Sequence, residues 1–174
     1  FGWDEAWSIC QRTLSYTNHT VMSEALERWS EWLYEEQLPR IYAITREIDR
    51  RLKDVLYAAY PGDFGKVNYM AVIGDGEVRM ANLCLACCHT INGVSALHSE
   101  ILKDTLFHDY YVLQPERFTN VTNGIAYRRW LCQANPALTE FLCDTVGTDF
   151  LKDANALEKL LDFKEDGAVL SELM

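Results

Sequence analysis

Two short polar clusters stand out as residues that could do chemistry. The first is Asn18-His19-Thr20 within SYTNHTV from Ser15. The second, about a hundred positions on, is Asn120-Val121-Thr122-Asn123-Gly124-Ile125, followed by Arg128-Arg129-Trp130. Amides, hydroxyls and a neutral imidazole can each donate and accept hydrogen bonds. Grouped on turns between apolar elements, they are what a sugar or phosphate site requires. The arginine pair with its tryptophan could bind an anion or stack on a ring. The same three residues could equally be a helix start with a core tryptophan, and their types alone do not choose. Asn18 and Asn120 each open an Asn-x-Thr sequon, which matters only in a secreted protein. Its coincidence with the two clusters suggests another use for those asparagines.

Other chemistries are weaker fits. Gly74-Asp75-Gly76 lacks the third glycine and the strand-turn-helix setting of a phosphate loop, and reads as a turn before a helix starting at Met80. Glu24 and Glu27 share a helical face, whereas glycosidase carboxylates flank the sugar from two sides, so a solvated first helical turn is the better reading. Cys88 and His89 are adjacent and would point about a hundred degrees apart on a helix, a poor nucleophile-base pair. Cys10, Cys84, Cys87, Cys88, Cys132 and Cys143 offer only one Cys-x-x-Cys, too few ligands for a zinc site, and Cys88 between Cys87 and His89 breaks a c-haem pattern. Reduced, buried thiols of a cytosolic protein are the expectation, with no metal.

The elements that must position these residues read as mostly helical. Trp7, Cys10 and Leu14 recur at helical spacing from Asp4 to Leu14. Ser23 reads as an N-cap with Glu24 and Glu27 in the first turn. A long helix follows from about Leu38, with Ile41, Ile44, Ile48, Leu52 and Val55 as its stripe, stopped by Pro61-Gly62-Asp63. Met80 to Cys88 suits a buried helix. Gly93 opens another, with Val94, Leu97 and Ile101 on one face. Asn135-Pro136 is an N-cap with proline at the first helical position, and Gly147 ends that helix. Asp153 or Asn155 caps the last one, with Leu157, Leu160 and Leu161 inward. Met70 to Ile73 and Asp109 to Leu113 are the only fair strand candidates. No repeat, low-complexity tract or flexible linker is evident.

Composition narrows the classes. The 174 residues are 49% apolar, enough for one core and against global disorder. The net charge of −10 disfavours nucleic acid and anionic membrane surfaces. The stretch from Asp144 to Met174 is strongly acidic and reads as a solvated helical surface. No apolar run is long enough to span a bilayer, and no secretory signal is visible. The chain begins at Phe1, which a processed or excised segment would explain.

Several motifs in one order make the chain resemble the α-glucan (glycogen, starch, maltodextrin) phosphorylases. They run from Trp3-Asp4-Glu5-Ala6-Trp7 through YTNHTV and EALERW at Tyr16 to Trp29, LPRIY at Leu38 and PGD at Pro61. They continue through HTINGVSALHSEILK at His89, PERFTNVTNGI at Pro115, RRWL and NPALTEFL. The resemblance implies an internal fragment of a much longer enzyme, mostly α as a segment. The parent would be a two-lobed α/β fold of the GT-B arrangement. Residues 1–125 would be the C-terminal part of the first, sugar-binding lobe, and 126–174 the start of the second, cofactor-binding lobe.

The implied activity is reversible phosphorolysis of an α-1,4-glucan end by inorganic phosphate, giving glucose 1-phosphate with retention. The implied cofactor is pyridoxal phosphate, held by a lysine of the later lobe, whose phosphate exchanges a proton with the substrate phosphate. None of Lys53, Lys66, Lys103, Lys152, Lys159 and Lys164 lies in the family's cofactor motif, so the isolated chain should be inactive. By the resemblance, His19 would contact the glucose 6-hydroxyl and turn its carbonyl to the anomeric carbon. Asn123 would bind the same hydroxyl, Val94 and Ser95 would line the sugar side, Thr20 and Glu24 would share that wall, and Trp130 would lie near the cofactor. Tyr127 and Ser23 stand where the family commonly has proline. The complete enzyme would be a cytoplasmic homodimer. The alternative is a catalytically dead helical module for binding or regulation.

Overall fold

The computed structural model describes residues 1–173. Their chain forms two compact units, Phe1 to Asn123 and Gly124 onward. In the first, helix α1 (Trp3–Thr13) leads into strand β1 (Ser15–Asn18). A single 3-10 turn at Ser23–Ala25 precedes β2 (Arg28–Ser30), α2 (Glu31–Gln37) and the long α3 (Pro39–Ala59). Then come α4 (Phe64–Met70), β3 (Ile73–Gly74), β4 (Glu77–Arg79) and α5 (Met80–Cys87). Strand β5 (Thr90–Gly93) is followed by α6 (Ala96–Ile101), which widens into a π turn at Leu102–Leu106. Helix α7 (His108–Leu113), a 3-10 turn at Pro115–Arg117 and β6 (Phe118–Asn120) complete the unit.

Two small sheets organise it. Strands β1, β5 and β6 form a parallel sheet with β5 central, in which Ser15 pairs with Thr90, and Ile91 with Phe118. Strands β2, β4 and β3 form an antiparallel sheet with β4 central. Asp75 and Gly76 make the two-residue hairpin between β3 and β4, with φ of +56° and +74°. Both φ values are positive, as the tightest hairpin turns require, so Gly74-Asp75-Gly76 is the turn before the Met80 helix that the sequence suggested.

The core gathers Leu56 of α3, Val67 and Met70 of α4, Leu85 of α5, Ile91 of β5, and Leu102 and Phe107 beyond α6. Leu85 is fully buried, and trimming it to alanine should cost about 2–5 kcal/mol. Arg117 closes the C-terminal end of α5. It is half-buried, and its Nη2 donates to the carbonyls of Leu85 (2.6 Å) and Cys88, acceptors that a helix end otherwise leaves free. Burial lowers its pKa from the ordinary guanidinium value.

Several local expectations need correction. Ser23 is not an N-cap; its hydroxyl lies 3.3 Å from a Glu24 carboxylate oxygen. The chain there makes one turn and leaves as β2, because pairing with β4 outweighs the helical preference of the sequence. Asp109 to Leu113 is helical, not a strand. Its Tyr and Val residues favour strands, but α7 buries Tyr110, whose hydroxyl reaches the Met70 carbonyl. Met70 closes α4, and of that candidate strand only Ile73 pairs, as the first residue of β3. Gly93 ends β5 rather than opening a helix; Ser95 is the cap, its Oγ accepting from His98 N at 3.1 Å. On α3 the buried face is Tyr42, Thr45, Ile48, Asp49 and Leu56, while Ile41, Ile44 and Val55 are exposed. Asp49 turns inward because its carboxylate accepts from Ile73 N (2.9 Å) and pairs with Lys53 (2.7 Å).

In the second unit, a wide helical turn spans Arg128–Gln133 and α8 spans Pro136–Val146. Asn135 caps α8 through Leu138 N (3.1 Å), with Pro136 at the first position, and Gly147 ends it at φ +83°. All three features follow the sequence reading. A ten-residue 3-10 stretch, Ala154–Phe163, is capped by Asp153, and α9 spans Gly167–Leu173. Leu142, Val146 and Phe150 are its core, with Leu157 and Leu160 against them. Leu161 is exposed, contrary to expectation, because a tighter helix turns it away from the core face.

Candidate sugar-binding wall

The parallel sheet decides where the polar clusters go. Because β1, β5 and β6 run in one direction, their carboxyl ends lie on one edge. His19-Thr20 follows β1, Val94-Ser95 follows β5, and Val121 to Asn123 follows β6. Ligands of open α/β sheets bind outside the carboxyl ends of parallel strands. Five sequence-selected residues, His19, Thr20, Val94, Ser95 and Asn123, therefore come to one edge of this unit.

Hydrogen bonds then fix the loops. Asn18 is buried at 2% exposure, and its Oδ1 accepts from Thr20 N at 2.9 Å, the turn that short amide side chains favour. Its Nδ2 donates to the Tyr16 hydroxyl at 3.1 Å. Asn120 plays the matching part at the end of β6, donating from Nδ2 to the Gly93 carbonyl and to Ser99 Oγ, both at 3.0 Å. Asn92 accepts from Val121 N at 2.6 Å. The two sequon asparagines thus bond to loop and strand groups, the other use their positions suggested. Asn123 N donates to the Val94 carbonyl at 3.3 Å, and its side chain is exposed, as is that of His19.

Gly93 is where this edge closes. A Cβ there would stand 2.3 Å from Ser99 Oγ and 2.8 Å from Ser99 Cα, so only glycine lets α6 approach β5 this closely. His98 is the residue the sequence reading passed over. It is buried; Val94 N donates to its Nδ1 at 3.0 Å, so the ring proton lies on Nε2, which donates to the Thr20 carbonyl at 3.0 Å. Its position inside an apolar helical pattern gave no separate signal.

Other selected residues stand apart. Glu24 is exposed and bonds within its own turn to Ser23, and Glu27 accepts from Trp29 Nε1 at 2.6 Å. Trp130 belongs to the second unit and is 63% exposed. Nearby, Arg128 stacks over the Tyr127 ring at 4.8 Å and donates to its hydroxyl at 2.8 Å. Trp130 is therefore an exposed ring rather than a core tryptophan. Tyr127 has φ −60°, a value that a proline would also adopt. Met22, before Ser23, is extended, as a residue preceding proline would be.

The thiol reading fails on geometry. His89 Nδ1 meets Thr90 Oγ1 at 2.6 Å and its Nε2 meets Ser15 Oγ at 3.3 Å, so its ring serves hydroxyls. Burial raises the pKa of Cys84 and Cys88, and pushes Cys87 up to about 12, the opposite of an activated thiolate. All six cysteines are free, and among the described residues no three His, Cys, Asp or Glu side chains converge on a metal-sized site.

A family model for carbohydrate phosphorylases matches residues 1–174. The chain belongs to the carbohydrate phosphorylase family. It is 47% identical to the muscle form of glycogen phosphorylase from Homo sapiens, with 98% of the chain and 21% of that protein covered. The muscle form from Oryctolagus cuniculus and the brain form from Rattus norvegicus are each 44% identical over the same shares. This phosphorylase segment spans about a fifth of the length of these curated relatives.

Proposed function

We propose that this segment supplies the sugar-holding wall of an α-1,4-glucan phosphorylase, an enzyme that reversibly cleaves glucan ends with inorganic phosphate to give glucose 1-phosphate. The observation that carries the reading is the gathering of His19, Thr20, Val94, Ser95 and Asn123 at the carboxyl edge of one parallel sheet. In this reading the His19 ring and the Asn123 amide hold the glucose 6-hydroxyl, which needs partners that both donate and accept. Asn18 and Thr20 pin the backbone on either side of His19, so its carbonyl dipole can sit fixed beside the anomeric carbon. A fixed dipole needs no reorganisation as positive charge develops there, the usual source of electrostatic stabilisation. Val94 and Ser95 shape the sugar side, and Glu24 takes a place on the outer wall.

The parent fold is proposed as the two-lobed GT-B arrangement, with residues 1–125 ending the first lobe and 126–174 beginning the second. The proposed location is the cytoplasm; among the described residues no helix is long and apolar enough to cross a membrane. The proposed partners are the glucan, phosphate, the rest of the phosphorylase chain and a second subunit.

Pyridoxal phosphate does not fit the residues of this segment by themselves. Lys53, Lys66, Lys103, Lys159 and Lys164 each pair with a carboxylate, Asp49, Asp109, Glu100, Asp149 and Glu165 respectively, and Lys152 is exposed. Lys53 lines an open cleft, but its amine is taken up there by Asp49 at 2.7 Å and by the Ile73 carbonyl at 2.9 Å, which leaves it unsuited to a Schiff base. The cofactor is accordingly assigned to the complete enzyme, toward which this chain offers the exposed Trp130 indole.

The test is direct. The full-length protein should release glucose 1-phosphate from a linear maltodextrin with inorganic phosphate, lose that activity when its cofactor is removed, and regain it when pyridoxal phosphate is restored. A full-length, folded protein that binds maltodextrin but yields no glucose 1-phosphate would favour the non-catalytic module instead.

A further inference from the structure

We infer that His98 is a positioning residue that ties the His19 loop to the Asn123 loop and acts on turnover through His19. It rests on the sugar-wall reading above. The observation is a continuous run of hydrogen bonds across the edge of the parallel sheet. The Thr20 carbonyl accepts from His98 Nε2 at 3.0 Å, and His98 Nδ1 accepts from Val94 N at 3.0 Å. The Val94 carbonyl in turn accepts from Asn123 N at 3.3 Å. One buried imidazole, 78 positions from Thr20 in the chain, thus joins segments that follow two different strands.

The ring is well suited to this. It offers one acceptor and one donor at opposite corners of a rigid plane, matching one amide and one carbonyl. Its own backbone is held by the Ser95 cap, and α6 is pressed onto β5 at Gly93, so the ring cannot drift. On the far side, Thr20 N is held by Asn18. His19 therefore sits on a backbone anchored at both neighbours, while its side chain stays exposed for the sugar. Free of the His98 bond, the Thr20 carbonyl would turn to water and His19 would lose its fixed direction. Loosely held catalytic geometry costs turnover more than affinity.

Two substitutions in the full-length holoenzyme separate the two bonds. In His98→Asn the short amide reaches only the Nδ1 position and keeps the Val94 bond. In His98→Gln the longer amide reaches the Nε2 position and keeps the Thr20 bond. The expected result is a roughly tenfold drop in kcat for His98→Asn with KM for maltodextrin little changed, and kcat within about threefold of wild type for His98→Gln. In a His19→Ala background, His98→Asn should cost no more than about a further twofold, because its effect runs through His19. Amide exchange at Val94 should stay slow in His98→Asn and become fast in His98→Gln.

Unchanged kcat in His98→Asn, or losses that multiply fully with His19→Ala, would overturn the positioning role while leaving the phosphorylase reading intact. If His98→Asn does not fold, His98→Gln decides: wild-type-like kcat supports the role, and a tenfold loss refutes it. A wild-type holoenzyme without phosphorolysis would overturn the functional reading, and the positioning role with it.

Discussion

Replacing Gly93 with alanine perturbs the wall at its tightest point. The added methyl would stand 2.3 Å from Ser99 Oγ, 2.8 Å from Ser99 Cα and 2.9 Å from Ser99 N. Two of those atoms are backbone, so no rotamer change relieves the contact, and α6 must move away from β5. Overpacking of this kind costs about 1–3 kcal/mol. The movement would also strain what Ser99 and His98 hold. Asn120 Nδ2 would lose its 3.0 Å bond to Ser99 Oγ, and His98 would be drawn off Thr20 and Val94. Each lost bond adds about 0.5–1.5 kcal/mol. With the Asn120 bond alone counted as lost, local opening of α6 should become about ten- to two-thousandfold more frequent, read as faster amide exchange from Val94 to Ile101, alongside reduced kcat. Adding Ser99→Ala should restore only part of the protection, since it removes the Oγ contact and leaves Cα and N in place. Wild-type exchange and turnover in Gly93→Ala would refute the reasoning, because the approach of α6 to β5 would then not hold the edge together.

In the complete enzyme, His19→Ala and Asn123→Ala should each lower turnover by about five- to two-hundredfold, from one lost bond of roughly 1–3 kcal/mol, with His19 acting more on kcat. Cys88→Ala should leave turnover near wild type; a 6-deoxy substrate, assayed against all three, should erase the difference between wild type and the first two. Cys84, Cys87 and Cys88 should resist alkylation at pH 8. With Cys87 raised from an unfolded value near 9 to about 12, its contribution to stability is complete below pH 9 and is lost as pH rises through 12, so alkaline denaturation scans of wild type and Cys87→Ala should diverge only in that window. The isolated 174-residue chain should show no reducible cofactor absorbance and no glucose 1-phosphate formation. It should also bind an apolar dye and self-associate, since Trp32, Leu38, Ile41 and Trp130 are exposed at 46–68%; a monodisperse monomer without dye binding would contradict this.

The sequence by itself determined the elements whose signals are local. The Asn135-Pro136 cap, the Gly147 stop and the helical span to Pro61 need no distant partner, and each stands where the spacing placed it. It also determined the two polar clusters and, through their order among other motifs, the family. The tertiary structure alone decided how those clusters meet. Strands β1, β5 and β6 hold only three or four residues each, several of them polar, too few to show an alternating pattern. Their pairing joins Ser15 to Thr90 and Gly93 to Asn120, long-range contacts to which no local preference points. For the same reason Asp109 to Leu113 reads as a strand in isolation and is a helix in place. His98 reads as one more residue on a helix. Its function in the fold comes from a carbonyl 78 residues away, and only the packed chain brings the two together.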